Sequence, residues 1–163
     1  MNLNPQQLQD SLKAYFAPQS DVVLAYLFGS HATGRAGPLS DVDVAVLLAG
    51  QPSAHACFDR RLDIIGGLMS LLRTNDVDVL VLNQATLVLR YQVVRSGILV
   101  HCADRQAAVG FRVETLNLYF DFKPILDHHR RVFFAKIRAG EMLSGYNPHR
   151  DAVERHKKHA GQA

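Results

Sequence analysis

The 163-residue sequence predicts a mixed α/β fold, a small sheet flanked by helices with a helical C-terminal part. Two observations carry that prediction. Short apolar, β-branched runs of strand length alternate with stretches whose apolar residues recur at helical spacing. Beyond about residue 103 only the helical spacing remains.

Asn4-Pro5-Gln6-Gln7 has the form of a helix start, with Asn4 as N-cap and Pro5 at the first helical position. Leu8, Leu12 and Tyr15 or Phe16 continue one apolar face, and Pro18 ends it. Val22 to Phe28 reads as a buried strand closed by Gly29-Ser30. Residues 31–40 contain two glycines and a proline, which predicts a loop with at most one helical turn. Asp41 to Leu48 is the second strand. Phe58, Leu62, Ile65, Met69 and Leu72 step by four and three, a helix stripe expected in the core. Val77 to Leu82 is the third strand. A helix from about Gln84 to Arg95 stops at Gly97, and Ile98 to His101 is a short fourth strand. Phe111, Leu116, Leu118, Tyr119, Phe122 and Leu126 then offer an apolar helical face, with Tyr119 and Phe120 read as core and Pro124 expected to kink or break the helix. The expected organisation is one domain over residues 1–145, with a core at about 21–104, helices at about 105–145 and a mobile, polar, basic tail at 146–163.

Composition excludes several classes. At 48% hydrophobic and 20% charged residues the chain is globular rather than disordered or fibrous. Apolar runs such as Val44 to Ala49 are far below the ~20 residues of a membrane span. Met1 opens a polar segment without the basic-then-apolar form of a signal peptide. Cys57 and Cys102 make neither a disulfide framework nor a metal-ligand pair and read as small core residues. These features predict a cytoplasmic protein with no membrane association. The net charge of +3 divides into −2 over residues 1–122 and +5 over 123–163, so the positive excess lies at the end. No nucleic-acid recognition motif accompanies it, and no direct nucleic-acid binding is expected.

Aspartate is a poor strand residue, yet the second strand opens Asp41-Val42-Asp43. Side chains two apart on a strand share a face, their residues ~6.6 Å apart. Two unit charges ~4 Å apart interact by about 4 kcal/mol at an intermediate dielectric, so a fold keeps such a pair solvated, protonated or bridged by a cation. Mg²⁺, a hard cation that takes carboxylates together with substrate phosphates, suits the last case. Asp76 and Asp78 form a second pair on the third strand. Asp76, beside Asn75, reads as a turn residue, whereas Asp78, between two valines, reads as a functional one. Three carboxylates at one end of the sheet suffice for two metals roughly 3.5–4 Å apart, the arrangement of in-line phosphoryl or nucleotidyl transfer. Gly29-Ser30, at the end of a strand, offers backbone N–H groups, a close approach at the glycine and a hydroxyl donor to a phosphate.

The joint spacing Gly29-Ser30-x10-Asp41-x-Asp43, within GSHATGRAGPLSDVDVAVLL, resembles the signature of the polymerase-β-like nucleotidyltransferase superfamily, and within it the minimal nucleotidyltransferase (MNT) branch. Ala32, Gly34, Arg35 and Ser40 fit the same pattern. The segment from Val77 resembles the next part of it: a third aspartate on a strand, a helix, a glycine and a short strand. The resemblance covers about residues 21–104.

That resemblance implies an ATP-using transferase. Asp41 and Asp43 would hold two Mg²⁺ on the triphosphate, and Asp78 would share the metal nearer the acceptor and help deprotonate it. Gly29 and Ser30 would hold the β,γ-phosphates, with Arg35 and Ser40 as further nucleotide-binding residues; Arg35 also reads simply as a solvated loop residue. Small single-domain MNT proteins of this kind resemble the antitoxins of HEPN–MNT toxin–antitoxin pairs, which implies transfer of AMP to a tyrosine of a partner HEPN ribonuclease. Two alternatives stand beside it. One is transfer to a small molecule such as an aminoglycoside, for which roughly 60 residues after the fourth strand leave little room. The other is an antitoxin that masks its toxin by contact alone.

Overall fold

A computed structural model describes residues 4–37 and 40–139. The expected tail at 146–163, and the end of the expected domain at 145, lie outside those residues. Two compact units divide at Phe120 and Asp121, and each is described by itself.

The first unit begins with α1 (Pro5–Phe16), whose first turn is capped by Asn4: its side-chain oxygen accepts the Gln6 N–H at 3.1 Å. Leu8, Leu12 and Phe16, spaced by four, form its fully buried face. Then follow β1 (Val22–Phe28), the single turn α2 (Gly29–Ala32), β2 (Val42–Leu48), α3 (Ala54–Leu72), β3 (Val77–Val81), α4 (Leu87–Ser96) and β4 (Ile98–Cys102). The four strands lie in the order β3-β2-β1-β4. β1 is antiparallel to β2 and to β4, while β2 and β3 run parallel through the α3 crossover. The fold is mixed α/β with a small sheet, as expected, and the sheet combines antiparallel and parallel pairs.

Strand alternation sends side chains to two cores. On one face Val22, Leu27, Val42, Val44, Val46 and Val79 pack with α1 and α3. On the other, Leu24, Tyr26, Ala45 and Leu82 pack with Val93 of α4 and with Ala108 and Phe111 further along the chain. The second face also carries Asp43 and Asp78, which fall on the same alternation as Ala45 and Leu80.

Three expectations are corrected. The buried residues of α3 are Cys57, Ile64, Leu68 and Leu72; of the expected stripe Leu72 is buried and Ile65 packs against the core, whereas Phe58 and Leu62 are 54% and 51% exposed. The spacing of four and three is satisfied by either row, and contact with the sheet selects the one displaced by a residue. After β4, α5 (Arg105–Arg138) runs through Pro124 without a break. Proline removes one N–H donor, whose partner in a helix is the carbonyl four residues back, here Phe120. Phe120 is also where the first unit ends. Phe120 itself is 55% exposed rather than core, and Tyr119 stacks flat on Tyr91 with ring centroids 3.5 Å apart. Among the described residues, no helix is long and apolar enough to cross a membrane.

Candidate active site

The C-terminal end of β1 lies beside the N-terminal ends of β2 and β3, because β1 is antiparallel and β3 parallel to β2. Register then sets the site. Phe28 pairs with Asp43, and Asp43 pairs with Asp78. The bend that leaves β1 is made by Gly29 at φ +68°, a left-handed conformation that favours glycine. Space demands glycine as well, since a Cβ there would overlap the carboxylate of Asp43. Gly29 and Asp43 are therefore in close approach, and Ser30 follows in α2, half-buried.

Asp41, exposed, immediately precedes β2, and Asp43 is half-buried within it. Partial burial raises the carboxyl of Asp43 above the usual carboxylate range, and the negative charges of Asp78 and Asp41 add to the rise against an opposing effect of His31. The three carboxylates are thus electrostatically coupled. Asp76 belongs elsewhere: its N–H donates to Thr74 Oγ1 at 3.2 Å in the turn before β3.

The expected convergence of three carboxylates is met in part. Asp43 and Asp78 share a face and a register position, but Asp78 Oδ1 accepts a 2.8 Å bond from Arg61 Nη2 and another 2.8 Å bond from the Val79 N–H. Among the described residues, no three His, Cys, Asp or Glu side chains are gathered so as to hold a metal ion. Repulsion explains the arrangement. Carboxylates on adjacent strands repel each other, and Arg61 supplies a counter-charge to one. The donor set still fits a hard divalent cation: carboxylate oxygens on adjacent strands, one of them raised in pKa first by burial and then by the charges of the others.

The loop from α2 to β2 is held by its own polar groups. Thr33 Oγ1 donates to the Gly29 carbonyl at 3.1 Å, and the Arg35 N–H donates to the Ser30 carbonyl at 3.0 Å. Ser40 Oγ accepts the Gly37 N–H at 2.9 Å, and the Ser40 N–H returns a bond to the Gly37 carbonyl at 3.1 Å. The Arg35 side chain is exposed.

Arg61 is the residue that sequence reading missed. The available signal was a charged residue in the apolar row of α3, at the step between Cys57 and Ile64. A cavity of about 320 Å³ adjoins it, lined by Phe58, Arg61, Asp78, Leu80, Gln84 and Leu89 along the outer side of β3. A larger cavity, about 620 Å³, lies at the other end of β2 and β3 against Leu48, Asn83, Arg90 and Glu114, away from the aspartates.

Comparison with known proteins identifies the family. The family described as "Polymerase beta, Nucleotidyltransferase" matches residues 10–106, more than half of the chain. Comparison with curated proteins finds no match. Among solved structures, a chain from a toxin–antitoxin crystal structure with AMP-PNP is 28% identical at a TM-score of 0.61, covering 80% of this chain and 98% of that one. A chain from the tri-AMPylated HEPN toxin of Shewanella oneidensis in complex with its MNT antitoxin is 26% identical at a TM-score of 0.58, covering 83% and 99%. A chain from an MntA-HepT toxin–antitoxin structure is likewise 26% identical at 0.57, covering 82% and 98%. With the paired aspartates, the glycine bend and this match in hand, the chain belongs to the polymerase beta nucleotidyltransferase family.

Proposed function

We propose that this nucleotidyltransferase is the antitoxin of a HEPN–MNT pair and moves AMP from ATP to a tyrosine hydroxyl of its HEPN ribonuclease partner, silencing it. The observation that carries the reading is the register that sets Asp43 beside Gly29 on one side and opposite Asp78 on the other. Likeness to chains of toxin–antitoxin structures, one with AMP-PNP and one with an AMPylated toxin, supports the choice of nucleotide and partner.

The family resemblance supplies the roles. The Gly29 backbone and the Ser30 hydroxyl bind the β,γ-phosphates at the bend, and Arg35 and Ser40 border the same nucleotide. Asp41, Asp43 and Asp78 would hold two Mg²⁺, which supply charge neutralisation for the triphosphate and for the departing pyrophosphate. Asp78, once turned toward Asp43, would serve the acceptor side and take up the hydroxyl proton. The tyrosine oxygen bonds to the α-phosphorus, the bond from that phosphorus to the α,β-bridging oxygen breaks, and pyrophosphate leaves. The reaction belongs in the cytoplasm, where ATP and a ribonuclease partner meet.

The test uses ATP labelled at the α-phosphate, Mg²⁺ and the product of the adjacent gene. Label is expected on that protein, none is expected from γ-labelled ATP, and chelation abolishes the transfer. Equal labelling by an Asp41→Asn/Asp43→Asn double variant defeats the proposal.

A role through contact is compatible with this chemistry. Phe122, Ile125, Val132, Phe133, Phe134 and Ile137 of α5 are all exposed, more apolar surface than a helix leaves to water without a partner. Rescue from the toxin by the double variant at modest expression would show masking by contact.

A further inference from the structure

α3 places a charged side chain in its core-facing row. Arg61 falls between Cys57 and Ile64, both buried, and its guanidinium reaches Asp78 at 2.8 Å. The same Asp78 oxygen accepts the Val79 N–H. Strand geometry says where that oxygen stands. The Asp76 carbonyl accepts from Val42 and the Leu82 N–H donates to Val46, so the even-numbered residues of this segment turn their backbone groups toward β2. The Val79 N–H therefore faces the outer edge of β3, the edge strand of the sheet. An oxygen bound to it lies on the far side of β3 from β2, which carries Asp43.

Arg61 makes this hold incompletely. Its Nε is buried and finds no hydrogen-bond partner, an unfavourable state for a donor. The guanidinium thus grips one carboxylate oxygen through one nitrogen rather than as the two-pronged fork that arginine forms with carboxylates at its strongest. A single, half-exposed contact of this kind is weak enough to exchange.

We infer that Arg61 is a positioning residue which, in the nucleotide-free protein, holds Asp78 at the sheet edge and yields it to the acidic site when a divalent cation arrives. The inference rests on the proposed function, since it takes Asp78 as the third carboxylate of that site. It assigns Arg61 a role in two states: counter-ion to Asp78 at rest, and a free guanidinium beside the acceptor side of the site once Asp78 has turned inward.

The test titrates Mn²⁺ alone into the nucleotide-free full chain and follows free Mn²⁺ by electron paramagnetic resonance. Arg61→Gln is expected to bind Mn²⁺ about two- to fivefold more tightly than the wild type, because Asp78 no longer has to leave a partner. Arg61→Met, which keeps the apolar stem, gives the same gain, and Arg61→Lys restores part of the wild-type value. In an Asp78→Asn background Arg61→Gln changes nothing. A gain that persists in that background overturns the inference, because removal of a nearby positive charge then explains it. Uptake by the wild type that depends on Asp43 but is unchanged by Arg61→Gln and Arg61→Met overturns the inference alone and leaves the proposed function standing. No uptake by any of these proteins overturns the carboxylate site, and the inference with it.

Discussion

Gly29 and Asp43 approach so closely that a methyl group on the glycine would occupy the space of the aspartate's carboxylate. The contact joins the phosphate-facing bend to the acid strand, and it makes the glycine doubly constrained, by its φ of +68° as well as by space. Gly29→Ala is therefore expected to cost about 1–3 kcal/mol of stability through backbone strain, measured by urea unfolding. AMP transfer should fall by about 100-fold or more, since the displaced carboxylate is one of the proposed metal ligands. Gly34 has a similar φ with nothing near its Cβ position. Gly34→Ala should lose stability and keep most of the transfer.

The coupling among the acids predicts a gain from losing one. In metal-free protein at neutral pH, Asp43 is charged in a half-buried place with Asp78 and Asp41 nearby. Asp43→Asn removes the burial cost and the repulsion together. Its melting midpoint in chelator should rise by about 1–4 °C, after discounting for the solvent that screens a group this exposed, while AMP transfer is lost. A fall in the midpoint would mean that the carboxylate is not repelled.

The displaced core row of α3 separates two readings of one helix. Leu68 is fully buried, and Leu62 is half exposed. Leu68→Ala should destabilise by about 2–5 kcal/mol, and Leu62→Ala by less than about 0.5 kcal/mol. Chemical denaturation of the two variants tests this. The opposite order would restore the row that begins at Phe58.

Tyr26 supplies a pH dependence clear of the acidic site. Burial raises its phenol above the ordinary tyrosine value, with Arg112 opposing and Cys102 adding to the rise. The folded state thus keeps this proton after the unfolded chain has released its own. Tyr26 contributes stability that is fully present below the ordinary tyrosine pKa and is lost as pH climbs from there through the raised value. Wild-type stability should drop on that alkaline limb, and Tyr26→Phe should flatten the drop. Denaturation midpoints taken between neutral pH and about pH 11 measure it.

Much of the fold was legible in local patterns. Each strand announced itself by a short β-branched run, and α1 by its cap, its proline and its row of Leu8, Leu12 and Phe16. Pro124 does not break the helix, because a proline's local penalty is one lost bond and a crowded turn, and a long helix can carry that. The row of α3 misled. Two apolar rows one residue apart both have helical spacing, and only the surface they meet decides between them. The division after Phe120 falls two residues before the point where the net charge turns from negative to positive, a signal that marks a charge boundary but does not by itself distinguish a new compact unit from a basic tail.

The sequence by itself determined the kinds of chemistry available: two aspartates alternating on a strand, a third on another, a glycine-serine bend, and the spacing that ties them to a nucleotidyltransferase family. Those are properties of residue type and local period, which chain order preserves. Tertiary structure alone decided who stands beside whom. Parallel pairing of β2 with β3 put Asp78 opposite Asp43, antiparallel pairing of β1 brought Gly29 against Asp43, and the crossover through α3 delivered Arg61 to Asp78. The reason is physical: strand register and helix rotation are settled by burial of the whole apolar set at once, a sum over distant residues that no local window contains.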